Sequence, residues 1–111
     1  MRQFRSTIVA KLPSSFRKSN HTTRRFREQL AALPEEVLDL ARDACRLFHR
    51  SPSHPSLRHH RLADSKRGKH TPESFSVSIT MSYRAIYVVE KDGINVWYWI
   101  GTHADYDKFV G

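Results

Sequence analysis

The residues best suited to chemistry follow the last strand-like segment of the chain. Ile94 to Ile100 is apolar and aromatic, and Gly101 follows it directly. Polar and titratable side chains then come in close succession: Thr102, His103, Asp105, Tyr106 and Lys108. The end of a buried strand holds such groups with little freedom, which suits a catalytic or binding site. Histidine titrates near neutrality, so His103 is the candidate proton carrier.

The spacing of these residues is compatible with a helical turn. His103 and Tyr106 are three residues apart, so a helix that begins here places both on one face. In the alternative, structural interpretation, Thr102 or Asp105 caps a short terminal helix. Tyr106 and Phe109 then pack in the core, and the residue types alone leave both interpretations open.

Arg84 is the second candidate, because it lies in an otherwise apolar segment between Tyr83 and Val89. If this segment is the antiparallel neighbour of the last strand, the guanidinium can point at the same face as His103. Its planar fork of donors suits two-point contact with a phosphate. The alternative is an exposed or salt-bridged arginine with no role in chemistry.

Residues 51–73 form a basic segment with several candidate contacts for phosphates. These are Arg58, His59, Arg61, Lys66 and Lys69. The whole chain has 19 Lys and Arg against 11 Asp and Glu, a net charge of +8. That charge favours an anionic partner such as nucleic acid, although a solvated charge run is the usual interpretation of such a stretch. The aromatic residues Trp97 to Trp99 could stack on bases, or form core.

Composition limits the other classes of function. A length of 111 residues predicts one domain over 1–111, with 1–21 as an N-terminal extension or edge strand. The single cysteine, Cys45, excludes an internal disulfide and favours a cytoplasmic protein. No apolar run reaches the roughly 20 residues that span a bilayer, so no membrane partner is expected. The histidines lack the spacing of a metal site, so we predict neither a metal nor a cofactor.

Two helices are predicted in the first half of the chain. Thr22 or Thr23 caps the first, and Pro34 occupies the first turn of the second. Ser51-Pro52 ends the second helix. Its predicted apolar stripe comprises Val37, Leu40, Ala41, Ala44, Leu47 and Phe48.

The second half predicts antiparallel strands. From Phe75 to Ser82 apolar residues alternate with serine and threonine, which indicates a strand with one buried and one wet face. A turn near Met81 to Tyr83 leads to a strand from Tyr83 to Val89. Asp92-Gly93 predicts a type I′ hairpin before the strand Ile94 to Ile100. Ile8 to Leu12 or Phe16 to Asn20 supplies a further strand. The predicted fold is α+β: a helical hairpin packed on an antiparallel β-meander of about four strands.

Several short motifs occur in order along residues 22–111. They are Leu33-Pro34, Pro52 to Leu57, Arg61-Leu62, Tyr83 to Tyr87, Asp92-Gly93 and Trp99 to Tyr106. Their order and spacing resemble the RelE/ParE superfamily of bacterial toxins from type II toxin–antitoxin systems. The longer start at 1–21 and the basic loop Asp64 to Pro72 depart from the family pattern.

This resemblance implies a RelE-like fold and a toxin held inactive by a cognate antitoxin. In the RelE branch the activity is cleavage of mRNA, usually on the ribosome, which inhibits translation. The implied roles are phosphate stabilisation for Arg84, proton transfer for His103, and sugar positioning or base stacking for Tyr106. Two alternatives remain: a ParE-like inhibitor of DNA gyrase without nuclease activity, and an inactive member that only binds antitoxin.

Overall fold

The strands of the chain form one mixed sheet, and helices pack on both of its faces. The computed structural model describes residues 18–65 and 67–111. Within these residues the strands are β1 (Asn20–Thr22), β2 (His60–Arg61), β3 (Phe75–Thr80), β4 (Tyr83–Val89) and β5 (Asn95–Thr102). The helices are α1 (Arg24–Ala31), α2 (Glu35–Arg50) and α3 (His103–Val110). The sheet order is β1-β5-β4-β3-β2, antiparallel except for the parallel pair β1–β5.

The α+β class is confirmed, but the predicted antiparallel meander of four strands is wrong in detail. The described sheet has five strands and is mixed, and a third helix follows β5. The parallel strand β1 is held by Asn20, whose Oδ1 accepts hydrogen bonds from Asn95 Nδ2 at 3.0 Å and Trp97 Nε1 at 2.9 Å. The alternative edge strand predicted at Phe16 to Asn20 agrees with this strand only at Asn20, because residues 18 and 19 are helical and the strand continues to Thr22. The predicted strand Ile8 to Leu12 lies outside the described residues.

The helical hairpin forms as predicted, with small shifts at its ends. Thr23 caps α1, because its Oγ1 accepts a hydrogen bond from Phe26 N at 3.1 Å. Pro34 is the residue before α2 and not part of its first turn. Ser51 ends α2, as predicted.

The buried face of α2 differs from the predicted stripe at two residues. Leu40 is 47% exposed, whereas Leu38 is only 2% exposed. Leu33, in the turn between the helices, is buried in the same core. The turn is therefore part of the core, and Leu38 at the start of α2 is buried with it.

Replacing Leu38 with alanine should lower the free energy of unfolding by about 2–5 kcal/mol, the usual range for deleting a buried leucine side chain. The matched change Leu40→Ala should cost less than about 0.5 kcal/mol, because that side chain is half exposed. Urea denaturation of both variants measures the difference. A larger loss in Leu40→Ala than in Leu38→Ala would instead support the predicted stripe.

Both faces of β3 are covered, so the predicted wet face is wrong. Ser76 and Ser78 are 0% and 3% exposed. They share a face with Ile86, which packs in a second core with Leu62, Trp99 and Tyr106. The polar side of the strand thus lies on the face of the sheet that carries the second core, which alternation alone could not reveal.

The hairpin between β4 and β5 has a different turn from the one predicted. Gly93 has a φ of 82°, whereas Asp92 is not among the described residues with positive φ. Gly93 N donates to Glu90 O at 2.9 Å, and Glu90 N donates to Ile94 O at 2.8 Å. This is a three-residue loop that ends in a left-handed glycine, and not a type I′ turn.

A bulge in β5 sends two tryptophans to opposite faces of the sheet. Tyr87 pairs with Trp97 but Ile86 pairs with Trp99, so Tyr98 is the extra residue. Trp97 packs with the α1–α2 hairpin in the larger core, and Trp99 packs in the second core. Both indoles are buried, so the aromatic run forms core on two sides.

Candidate active site

Arg84 lies in the middle strand of the sheet, on the face covered by α3. It pairs with Gly101 of β5 on one side and Ser78 of β3 on the other. One terminal nitrogen of its guanidinium donates to Ser78 Oγ at 2.9 Å. The residue is 9% exposed and makes no ion pair within the described part of the chain.

Helix α3 is fixed beside this arginine by contacts at its first turn. Thr102 caps the helix, because its Oγ1 accepts from Asp105 N at 3.1 Å. His103 N donates to Ser82 O at 2.8 Å, which joins the helix to the β3–β4 turn. The predicted capping role of Thr102 therefore coexists with a site at the same helix end.

Tyr106 connects the arginine to the histidine. Its ring is 7% exposed, and Arg84 Cζ lies 5.0 Å from the ring centroid, a cation–π contact. The ring of His103 also lies near Tyr106, with ring centroids 6.1 Å apart. The side chain of His103 is 45% exposed, and its Nδ1 is 3.2 Å from Asp107 Oδ2. The three residues predicted to do chemistry are thus consecutive neighbours.

Arg84 is a buried charge without an anionic partner among the described residues. Its Nε is buried and has no hydrogen-bond partner among the described residues. Transfer of a guanidinium out of water without an anionic partner is costly, and buried charges are normally paired. The arrangement is therefore suited to an anion that binds beside Tyr106.

Gly101 allows α3 to sit this close to the sheet. A Cβ at this position would lie 2.9 Å from the ring of Trp99. That ring stacks on Phe109 of α3, with centroids 5.2 Å apart and planes at 19°. The glycine thus makes room for the packing that holds the helix.

The predicted phosphate contacts that the structure describes differ in exposure and in their partners. Arg58, Arg61 and Lys69 are exposed, whereas Lys66 lies outside the described residues. Arg58 has a left-handed backbone with φ 45°, and its guanidinium donates to Met81 Sδ at 3.0 Å. Arg61 lies 3.6 Å from Asp64, which partly neutralises it.

His59 is placed differently from its predicted role at an RNA surface. Its Nδ1 is 3.1 Å from Pro52 O, and its Nε2 is 2.7 Å from Tyr87 Oη. The ring packs against Phe48 and Phe75 as well as Tyr87. Both ring nitrogens therefore bind the protein itself. Burial lowers the pKa of His59, opposed by the carbonyl of Pro52 and assisted by the neighbouring His60.

This lowered pKa predicts a pH-dependent stability. The unfolded chain takes up a proton at the ordinary histidine pKa of 6.5, and the folded chain only at lower pH. The contribution of neutral His59 is therefore complete above 6.5 and is lost as pH falls through the folded pKa. Thermal melts across this range should show a smaller loss in His59→Phe than in wild type. The control His21→Gln, an exposed histidine, should keep the wild-type slope; if His59→Phe keeps it too, the interpretation fails.

Two other features, a metal site and a membrane-spanning helix, are not seen among the described residues. Within residues 18–65 and 67–111, no group of three or more His, Cys, Asp or Glu side chains could hold a metal ion. No described helix is long and apolar enough to cross a membrane. The predicted absence of a metal and a cofactor stays a prediction.

Two residues that contact the predicted site residues Arg84 and His103 were not among the predictions. Ser78 is the hydrogen-bond partner of Arg84, and it was assigned to a wet face. Asp107 contacts His103 from four residues along α3. Residues four apart on a helix are neighbours on its surface, so this spacing could have identified Asp107 from the sequence.

Comparison with known proteins supports the fold. No protein-family model matches the sequence, and no curated protein matches it. Among solved structures, YafQ from E. coli is similar with a TM-score of 0.59 and 14% identity, over 78% of this chain and 94% of that one. A copper-bound mutant toxin from Helicobacter pylori gives 0.53 and 20%, over 78% and 96%. The H. pylori protein HP0894 gives 0.52 and 15%, over 78% and 94%. The RelE-like fold expected from the motifs is therefore confirmed: this chain has the fold that YafQ and these H. pylori proteins share.

Proposed function

We propose that this protein is the toxin of a type II toxin–antitoxin system and cleaves mRNA by a mechanism that needs no metal. The observation that carries the proposal is the buried guanidinium of Arg84, which has no carboxylate partner among the described residues and stacks on Tyr106 beside His103. A phosphodiester supplies the missing negative charge. A purely structural arginine would gain stability from a carboxylate, and none is placed there.

The residues match the needs of RNA cleavage by the 2′-hydroxyl. The 2′-oxygen attacks phosphorus, the bond to the 5′-oxygen breaks, and a cyclic phosphate and a 5′-hydroxyl result. Arg84 stabilises the charge that develops on the phosphoryl oxygens. His103 carries the proton from the 2′-oxygen towards the leaving 5′-oxygen. Tyr106 holds the guanidinium from one side and lies next to the histidine, where it positions the nucleotide.

The exposed cations extend the contact with RNA. Arg58 and Lys69 are exposed in the basic segment, as is Arg61, and the chain carries a net charge of +8. Such charges bind phosphates without regard to sequence. We propose that they bind the phosphates of mRNA or ribosomal RNA in the cytoplasm, where translation takes place.

A cognate antitoxin is the proposed protein partner. The H. pylori relative in the copper-bound structure is described as a toxin. A toxin that cleaves cellular mRNA has to be neutralised in the cell that makes it. Co-expression with the product of an adjacent small gene should therefore restore growth.

The test is cleavage of mRNA by the purified protein, with and without translating ribosomes, in a buffer that contains a chelator. The proposal predicts discrete cleavage sites that persist with chelator and disappear in Arg84→Ala. Intact RNA together with loss of DNA supercoiling by gyrase would instead support an inhibitor without nuclease activity. Normal growth on induction and intact RNA would indicate an inactive member.

A further inference from the structure

Asp107 is an acidic residue outside the proposed roles, yet it contacts the proton carrier. Its Oδ2 lies 3.2 Å from His103 Nδ1, and both residues belong to α3 at positions four apart. The backbone of His103 is fixed independently, because its N–H donates to Ser82 O at 2.8 Å. The backbone of His103 is therefore held by Ser82, and its ring lies against the carboxylate of Asp107.

We infer that Asp107 is a positioning residue, which holds the neutral imidazole of His103 with its proton on Nδ1 and its lone pair on Nε2. Only the role of Nε2 as the atom that accepts a proton from RNA rests on the proposed function. A carboxylate is negatively charged and only accepts, so its oxygen 3.2 Å from Nδ1 favours the form of the neutral ring with the hydrogen on that nitrogen. The position of that hydrogen fixes which nitrogen can take a proton from substrate.

The remaining ring nitrogen is then directed away from the carboxylate. The ring lies near Tyr106, which also contacts Arg84. The Nε2 atom of His103 is thus the one available to a phosphodiester held by the arginine. Without Asp107 the hydrogen can move to Nε2. In that form Nε2 has no lone pair with which to accept the proton of the 2′-hydroxyl.

A comparison of two aspartates on α3 tests this inference. Asp107 makes the contact, whereas Asp105 carries the same charge in the first turn and is not a partner of the ring within the described contacts. Both side chains are exposed, so the effect is limited to the range measured for exposed pairs. We expect Asp107→Ala to reduce the ratio of the Nδ1–H to the Nε2–H form of His103 about two- to fivefold, and Asp105→Ala to leave it unchanged. Nitrogen-15 NMR of the neutral ring, recorded at about pH 9, reads this ratio without any substrate.

Activity provides the second measurement. The rate of cleavage should fall by a similar factor of about two to five in Asp107→Ala with KM unchanged, and Asp107→Glu should restore most of it. An unchanged tautomer ratio in Asp107→Ala would overturn the inference, whatever the activity. A changed ratio in a protein that does not cleave RNA would leave the positioning role intact and refute the proposed function instead.

Discussion

Replacing His103 with alanine is expected to slow RNA cleavage by about 10²- to 10⁴-fold, the usual contribution of a positioned general acid or base. The side chain is 45% exposed, so its loss should change the free energy of unfolding by less than about 0.5 kcal/mol. The hydrogen bond from residue 103 to Ser82 uses the backbone and survives the substitution. Single-turnover kinetics on a short mRNA substrate measure the rate, and circular dichroism checks the fold.

The matched control is His21→Ala. His21 is an exposed histidine of β1 and pairs with Val96, five residues along β5 from the Gly101 that pairs with Arg84. It should cleave at the wild-type rate. If His103→Ala also cleaves at that rate, His103 is not the proton carrier, and the site has to be assigned to other residues.

Replacing Arg84 with methionine should separate stability from activity. Methionine is of similar length and carries no charge, so it fills the space beside Tyr106 without a buried cation. The free energy of unfolding should stay the same or increase by about 1 kcal/mol, because an unpaired buried charge is removed. Cleavage should fall by about 10²- to 10³-fold, the effect of losing one donor to a developing charge. Denaturation and cleavage assays on the same preparation give both quantities.

The conservative variant Arg84→Lys sharpens this test. Lysine keeps the charge but lacks the planar fork that donates to Ser78 and to a phosphate together. Its activity should lie well below wild type. Full activity in the methionine variant, or unfolding with loss of activity in both variants, would show that the arginine has only a structural role.

Strong local signals in the sequence located most of the elements. Strand β4 has the predicted bounds of Tyr83–Val89, and Thr23 caps α1 as one of two predicted candidates. Pairing across the sheet was less accessible. The parallel strand β1 depends on Asn20, whose partners are 75 and 77 residues away, so no local pattern reveals it. The covered face of β3 was missed for the same reason, because it is buried by tertiary packing on the side of the second core.

The candidate site was partly accessible from the sequence. His103 was proposed as a titratable residue just past a buried strand, helical spacing placed Tyr106 on its face, and Arg84 was proposed from its place in an apolar strand; the family resemblance strengthened His103 and Arg84. Their contact depends on the register that pairs Arg84 with Gly101, a tertiary fact. His59 shows the opposite failure: its basic neighbours suggested an exposed role, whereas its ring enters an aromatic cluster around Tyr87.

The chemistry of the cleaved ends tests the central proposal most directly. RNA treated with the wild-type protein in the presence of chelator should carry a 2′,3′-cyclic phosphate, or the 3′-phosphate from its opening, and a 5′-hydroxyl. These ends require attack by the 2′-hydroxyl, which is the step assigned to His103 and Arg84. RNA ends that carry a 3′-hydroxyl and a 5′-phosphate, or RNA that stays intact with translating ribosomes, would contradict the proposal.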